Sequence, residues 1–159
     1  MKMYVLQVKS GYEISACNEL KKHGFDAVLP IVQEYIRHSG KWSIYEKIIF
    51  TQYIFIRLEP SEENYYQIRK IDGIVRFLDY SQPLKYSEQK YIEWLENGGK
   101  PIEPSKIYVT ASGDKMIISG ILRKYSGTEI DYNLRQRKAS IFIEIAGQKH
   151  RITLPIICV

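Results

Sequence analysis

Cysteine is scarce. Cys17 and Cys158 stand near opposite ends of the 159-residue chain with no CxxC spacing, which excludes a disulfide framework and a cysteine-rich zinc site. Both read as reduced, small hydrophobic residues, with Cys17 on the apolar side of a helix where a nucleophile would be shielded. Histidine occurs three times, at His23, His38 and His150, each without carboxylate or cysteine neighbours at ligand spacing, so no metal is expected. No apolar run approaches the roughly 18–20 residues that a membrane span needs. The start, "MKMYVLQVKSG", lacks the charged lead and apolar core of a signal peptide. A cytoplasmic address without membrane association is the expectation. Neither GxGxxG nor GxxxxGK[ST] occurs, so no phosphate cradle and no cofactor are indicated. Glu62 and Glu63 are first-turn helix acids, not a general acid/base pair. An enzyme is not expected.

What is present is unevenly spread. Residues 1–99 hold 13 basic and 13 acidic side chains, whereas residues 100–159 hold ten and five. The whole net charge of +5 therefore lies in the last 60 residues, which points that part toward a polyanion.

The first 97 residues alternate between strand and helix signals. "MYVLQVKSG" alternates as a strand, with Tyr4, Leu6 and Val8 on one face. Ser10 and Glu13 form an S-x-x-E capping box before a helix carrying Ile14, Cys17 and Leu20, with Lys21 and Lys22 in its last turn and Gly24 ending it. "FDAVLP" is a short strand, and "VQEYIRHSGKWSIYEKIIF" is a hairpin around "HSGK". "QYIFIRL" is an aromatic, β-branched strand. Ser61 opens a second helix to about Ile71, "IVRFLD" is a further strand, and Ser87 caps a third helix bearing Tyr91, Trp94 and Leu95. This order predicts an α/β (α+β) domain over residues 1–97, an antiparallel sheet with helices packed on it. "NGGKPIEPS" supplies a linker over residues 98–105. Residues 106–159 show only short strand-like runs, the pattern of a small all-β barrel.

Two surfaces stand out. Phe50, Tyr53 and Phe55 crowd "FTQYIF", with Tyr53 and Phe55 on one strand face and Ile54 and Ile56 on the other. The pattern leaves open whether the aromatic face is core or a docking face. In "YNLRQRKASIFIEIAG", Arg135, Arg137 and Lys138 precede a run that points Ile141, Ile143 and Ile145 inward and Phe142 outward. Lys149 and Arg151 share the outward side of the following strand, and Arg123 and Lys124 sit in another turn. Cations around an aromatic suit RNA, whose phosphates meet Lys and Arg while unstacked bases lie on rings. A turn kept basic for solubility is the competing account.

These motifs together resemble the NusG family of transcription elongation factors. "YVLQVKSGYE" is similar to the opening of its N-terminal NGN domain, "FTQYIFI" to its FPGYVLV strand, and "RKIDGIVRFL" to the element after it. "GDKMIISGILRKYSG" is similar to the start of its C-terminal KOW domain. The coverage is nearly end to end. "GKW…KIIF" with "LRQRKASIFIEIAG" looks most like specialised paralogs of the LoaP type. Two positions depart from the pattern: Thr51-Gln52 replaces Pro-Gly, and Gln7 stands where paralogs place a strand-one aromatic. The resemblance implies an NGN sandwich joined to an SH3-like β-barrel. It implies that Phe50, Tyr53 and Phe55 meet the clamp helices of bacterial RNA polymerase, with Asn64, Tyr65 and Tyr66 reaching across the cleft. For the KOW domain it implies an RNA hairpin bound by the cationic residues, in a monomeric antitermination factor. The alternatives are a general NusG whose KOW domain recruits ribosomal or termination proteins, and a ribosome-associated KOW protein.

Overall fold

In the computed structural model, which describes residues 1–159 throughout, β1 (Lys2–Val8) is buried on both faces. It lies between β5 (Tyr53–Leu58) and β6 (Ile74–Phe77), and β2 (Asp26–Val28) completes an antiparallel sheet in the order β2-β5-β1-β6. Helices α1 (Glu13–Lys22) and α2 (Glu62–Arg69) cover one face. There Tyr4, Leu6, Val8, Ile54 and Ile56 meet Ala16, Cys17, Leu20 and Ile68 in one core. Met3, Val5 and Phe55 are buried on the opposite face, so β5 does have two apolar environments. These elements form one compact unit, Met1–Leu29 with Phe50–Lys90.

Several local expectations shift. Ser10 does not cap α1: Tyr12 precedes the helix without a side-chain cap. The Glu13 carboxylate instead turns inward and accepts from Gly11 N at 2.7 Å and Gln52 N at 3.2 Å. That inward Glu13 rotates the buried stripe to Ala16, Cys17 and Leu20, leaving Ile14 58% exposed rather than in the core. At α2 the expectation holds, because Ser61 Oγ accepts from Asn64 N at 3.0 Å. Helix α3 (Tyr86–Glu96) starts one residue before Ser87, and Glu88 accepts from Lys85 N at 2.8 Å as the effective cap.

The second unit is Pro30–Ile49 with Tyr91–Val159. Strands β3 (Ile31–His38) and β4 (Lys41–Ile48) form the expected hairpin, closed by Ser39 and Gly40, both at positive φ. That two-residue, left-handed turn suits the twist of the strands it joins. Strands β7 (Ser105–Val109), β8 (Lys115–Ser119), β9 (Ile130–Asn133), β10 (Lys138–Ile145) and β11 (Gln148–Cys158) form a sheet in the order β8-β7-β11-β10-β9. A 3-10 turn, Ile121–Tyr125, was not legible in the sequence. It buries Tyr125, whose hydroxyl donates to Tyr91 O at 2.9 Å while its ring stacks on Tyr91.

The segment read as a linker is tied down along its course. Ile102, 1% exposed, bridges Val32, donates to Ile31 O and accepts from Gln33 N. Ser105 is fully buried and its Oγ accepts from Leu122 N. Residues 30–49 thus group with the C-terminal part of the chain rather than with their sequence neighbours.

Candidate polymerase and nucleic-acid interfaces

In the first unit, Phe50 and Phe55 meet edge to face with centroids 5.1 Å apart, and both are buried. Tyr53, half-buried, is the member of the trio that reaches the surface. The turn before it runs through Gln52 at φ 68, and Gln52 O accepts from Val8 N at 2.9 Å. A left-handed conformation there explains the glycine that the resembled motif places at this point.

Asn64, Tyr65 and Tyr66 lie on α2, against the sheet face opposite Phe55, so the two groups form separate surfaces and not one pocket. Tyr65 stacks on Phe77 at 5.6 Å and its hydroxyl accepts from Arg69, tying it to the fold. Asn64 Nδ2 donates to Glu59 O. Tyr66 is 61% exposed and is the outward residue of the three. Sequence reasoning missed Tyr80, whose hydroxyl binds both Ser61 N and Ser61 O at 2.7 Å and whose ring packs on Phe77 and Tyr65.

In the second unit, β10 and β11 pair Phe142 with Arg151 and Glu144 with Lys149. Ile141, Ile143 and Ile145 are buried, so Phe142, Lys149 and Arg151 share the exposed face as the alternation predicts. The Arg151 guanidinium lies 5.7 Å from the Phe142 ring centre and pairs with Asp131 at 3.3 Å. Arg123 and Lys124 are exposed on the 3-10 turn, and Arg135 is exposed in the β9–β10 turn.

Arg137 and Lys138 are engaged within the protein. Arg137, at φ 57, lies 5.0 Å from the centre of Tyr35 and 4.5 Å from that of Trp42. Lys138 pairs with Glu34 at 3.1 Å, and Lys47 pairs with the same oxygen at 3.2 Å. Burial pushes the Glu34 carboxyl up, but the Lys138 and Lys47 ammonium groups outweigh it and hold the group below its ordinary range. The hairpin that brings Tyr35, Trp42, Glu34 and Lys47 to this turn lies roughly 90 to 105 residues away in sequence, and no local signal announces it. No group of three or more His, Cys, Asp or Glu side chains is placed to hold a metal ion. No helix is long and apolar enough to cross a membrane.

A helix-covered antiparallel sheet and a separate five-stranded sheet make this a two-unit α+β protein. A family model described as "Transcription termination factor nusG" matches residues 1–94, so the chain belongs to the NusG family. It is 23% identical over 168 aligned positions to the transcription termination/antitermination protein NusG of Bacillus subtilis, covering 95% of this chain and 93% of that protein. The structure described as "Domain interaction in Thermotoga maritima NusG" shares the fold, with a TM-score of 0.60 at 19% identity over 98% of this chain and 93% of that one.

Proposed function

We propose that this protein is a specialised antitermination and elongation factor that binds RNA polymerase through its N-terminal unit and a nascent RNA hairpin through its C-terminal one. It acts by binding and not by catalysis. The observation that carries the RNA half is the outer face of β10 and β11, where Phe142 stands exposed among Arg151 and Lys149 in the part of the chain that holds the entire net charge. Phosphates would meet the cations and a splayed base the ring. In this reading the five-stranded sheet is the SH3-like KOW barrel. The polymerase half rests on family membership, with Tyr53 and Tyr66 as the side chains of the two aromatic groups that reach solvent.

A salt titration of full-length protein against a labelled RNA hairpin tests the RNA half. The logarithm of affinity falls by about 0.7–0.9 per log unit of salt for each phosphate neutralised. Replacing Arg135 and Lys149 with alanine flattens that slope by roughly two contacts. Phe142→Ala weakens binding by roughly 1–3 kcal/mol with little change of slope. Binding that ignores salt, or a double variant indistinguishable from the parent, overturns the RNA half.

One observation favours the general NusG alternative. Tyr108 and Met116 are cross-strand partners on β7 and β8, and with Ile118 they are about half exposed. Such an apolar edge suits a protein partner. Absence of salt-dependent RNA binding in the parent, together with loss of protein recruitment in Met116→Asp, would select that alternative.

A further inference from the structure

Three grooves of the second unit adjoin through shared residues. The first, about 460 Å³, has Arg37 and Trp42 of the hairpin on one side and Arg135 on the other. It shares Asn133, Arg135 and Gln136 with the second, about 600 Å³, where Lys47 of the hairpin faces Lys138 and Arg151. Tyr132 belongs to both the second groove and the third, about 540 Å³, which is lined by Lys115 and Arg123.

The charges along this path are of two kinds. In the middle each cation has an acidic partner: Glu34 takes both Lys47 and Lys138, and Asp131 takes Arg151. At the ends they are not. Arg37 rests over Trp42 at 5.9 Å and Lys115 over Tyr132 at 5.6 Å, each meeting a ring and no carboxylate. Arg135 and Arg123 also point into the path without an acidic partner. A cation held on an aromatic face keeps its charge and its donors while its position is fixed. Between the ends, Asn133 and Gln136 offer amides of the kind that read base edges.

We infer that the β3–β4 hairpin forms one wall of an RNA groove, in which a single-stranded loop runs from Arg37, past the Asn133–Gln136 turn, to Tyr132, Lys115 and Arg123. Unpaired cations at both ends take phosphates, and the amides and the Tyr132 ring between them face bases. The inference rests on the RNA reading above and extends it to residues that lie far outside the basic C-terminal stretch. Arg37 and the ring beneath it come from a segment whose sequence surroundings carry no net charge.

The test uses the full chain and a fluorescein-labelled RNA hairpin with a mixed-sequence loop, with affinity measured across salt concentrations. Arg37→Ala with Lys115→Ala removes two cations that hold no ion pair, so folding is retained. The slope should flatten by about two contacts, at about 0.7–0.9 each. A control pair, Lys2→Ala with Lys21→Ala, removes the same charge from the first unit and should leave the slope unchanged. Ultraviolet crosslinking followed by peptide mapping should recover RNA on residues 31–48. If the parent shows no salt-dependent binding, the RNA reading itself fails. If the parent binds but Arg37→Ala with Lys115→Ala matches it in affinity and slope, or the control pair flattens the slope equally, the hairpin wall is overturned while the outer face stands.

Discussion

Arg137 lies 4.5 Å from the ring centre of Trp42 while its own backbone sits at φ 57, a conformation that most side chains avoid. The residue pairs a favourable side-chain contact with an unfavourable backbone one, and the two are separable by mutation. Arg137→Ala keeps the strained φ and loses both ring contacts, and so should destabilise the second unit by about 1–3 kcal/mol. Arg137→Gly loses the same contacts but relieves the φ, so it should recover about 1 kcal/mol of that loss. Urea unfolding of the two variants reads the difference. Equal stabilities would show that the backbone carries no strain.

Tyr53 and Phe55 are two residues apart and should behave oppositely. Phe55 is fully buried, and Phe55→Ala should cost about 3–5 kcal/mol of stability. Tyr53 is half-buried, and Tyr53→Ala should leave the melting transition nearly in place while weakening capture of RNA polymerase by on the order of 2 kcal/mol. A thermal melt and a polymerase titration on each variant check the pair.

Glu13 links α1 to the turn before β5, and it should make the first unit sensitive to acid. Burial pushes its carboxyl up, but the backbone N–H groups of Glu13, Gln52 and Gly11 outweigh that and hold it below the ordinary glutamate range. The folded form therefore binds its proton more weakly than the unfolded form. Its stabilising contribution is complete above the unfolded value near 4.3 and fades as pH falls through the lower, folded value. Glu13→Gln should lose that pH dependence and cost about 1–3 kcal/mol at neutral pH, since Gly11 N and Gln52 N meet different carboxylate oxygens and the amide replaces one of them with a donor. Denaturation midpoints between neutral and acid pH provide the measurement.

Gly120 has φ 103, and a methyl group there would stand 2.6 Å from the Ser105 Cα. Gly120→Ala should therefore be severe, on the order of 3 kcal/mol or more, because both the backbone angle and the Ser105 main chain resist it. Gly127→Ala, with open space around the added methyl, is the matched control and should be close to neutral. Circular dichroism melts of the two distinguish them.

What the sequence revealed depended on how local the cause was. The Ser39-Gly40 turn, the Ser61 cap and the inward isoleucines of β10 follow from spacing within a few residues, and each was legible. The capping box at Ser10 misled because Glu13 has a tertiary partner, Gln52 N, that no pattern within the helix reveals. The basic cluster was visible as composition, yet its members differ. Arg135 is free at the surface, whereas Arg137 and Lys138 are held by Tyr35, Trp42 and Glu34. That division depends on contacts spanning roughly 95 to 105 residues, which leave no period in the sequence to read.

The placement of residues 30–49 with residues 91–159 bears on how the chain is made. The first unit needs nothing beyond Lys90, so its sheet can close once that residue leaves the ribosome. The hairpin has already emerged by then, but the strands grouped with it have not. At about 5–20 residues per second, the remaining stretch keeps it waiting for roughly 3–14 seconds. During that interval β3 lacks its bridge from Val32 to Ile102, so Val32, buried in the finished protein, has no Ile102 beside it. A newborn chain is thus most vulnerable to mispairing after its first half has folded, and the hairpin, rather than either terminus, is where a chaperone would be expected to bind.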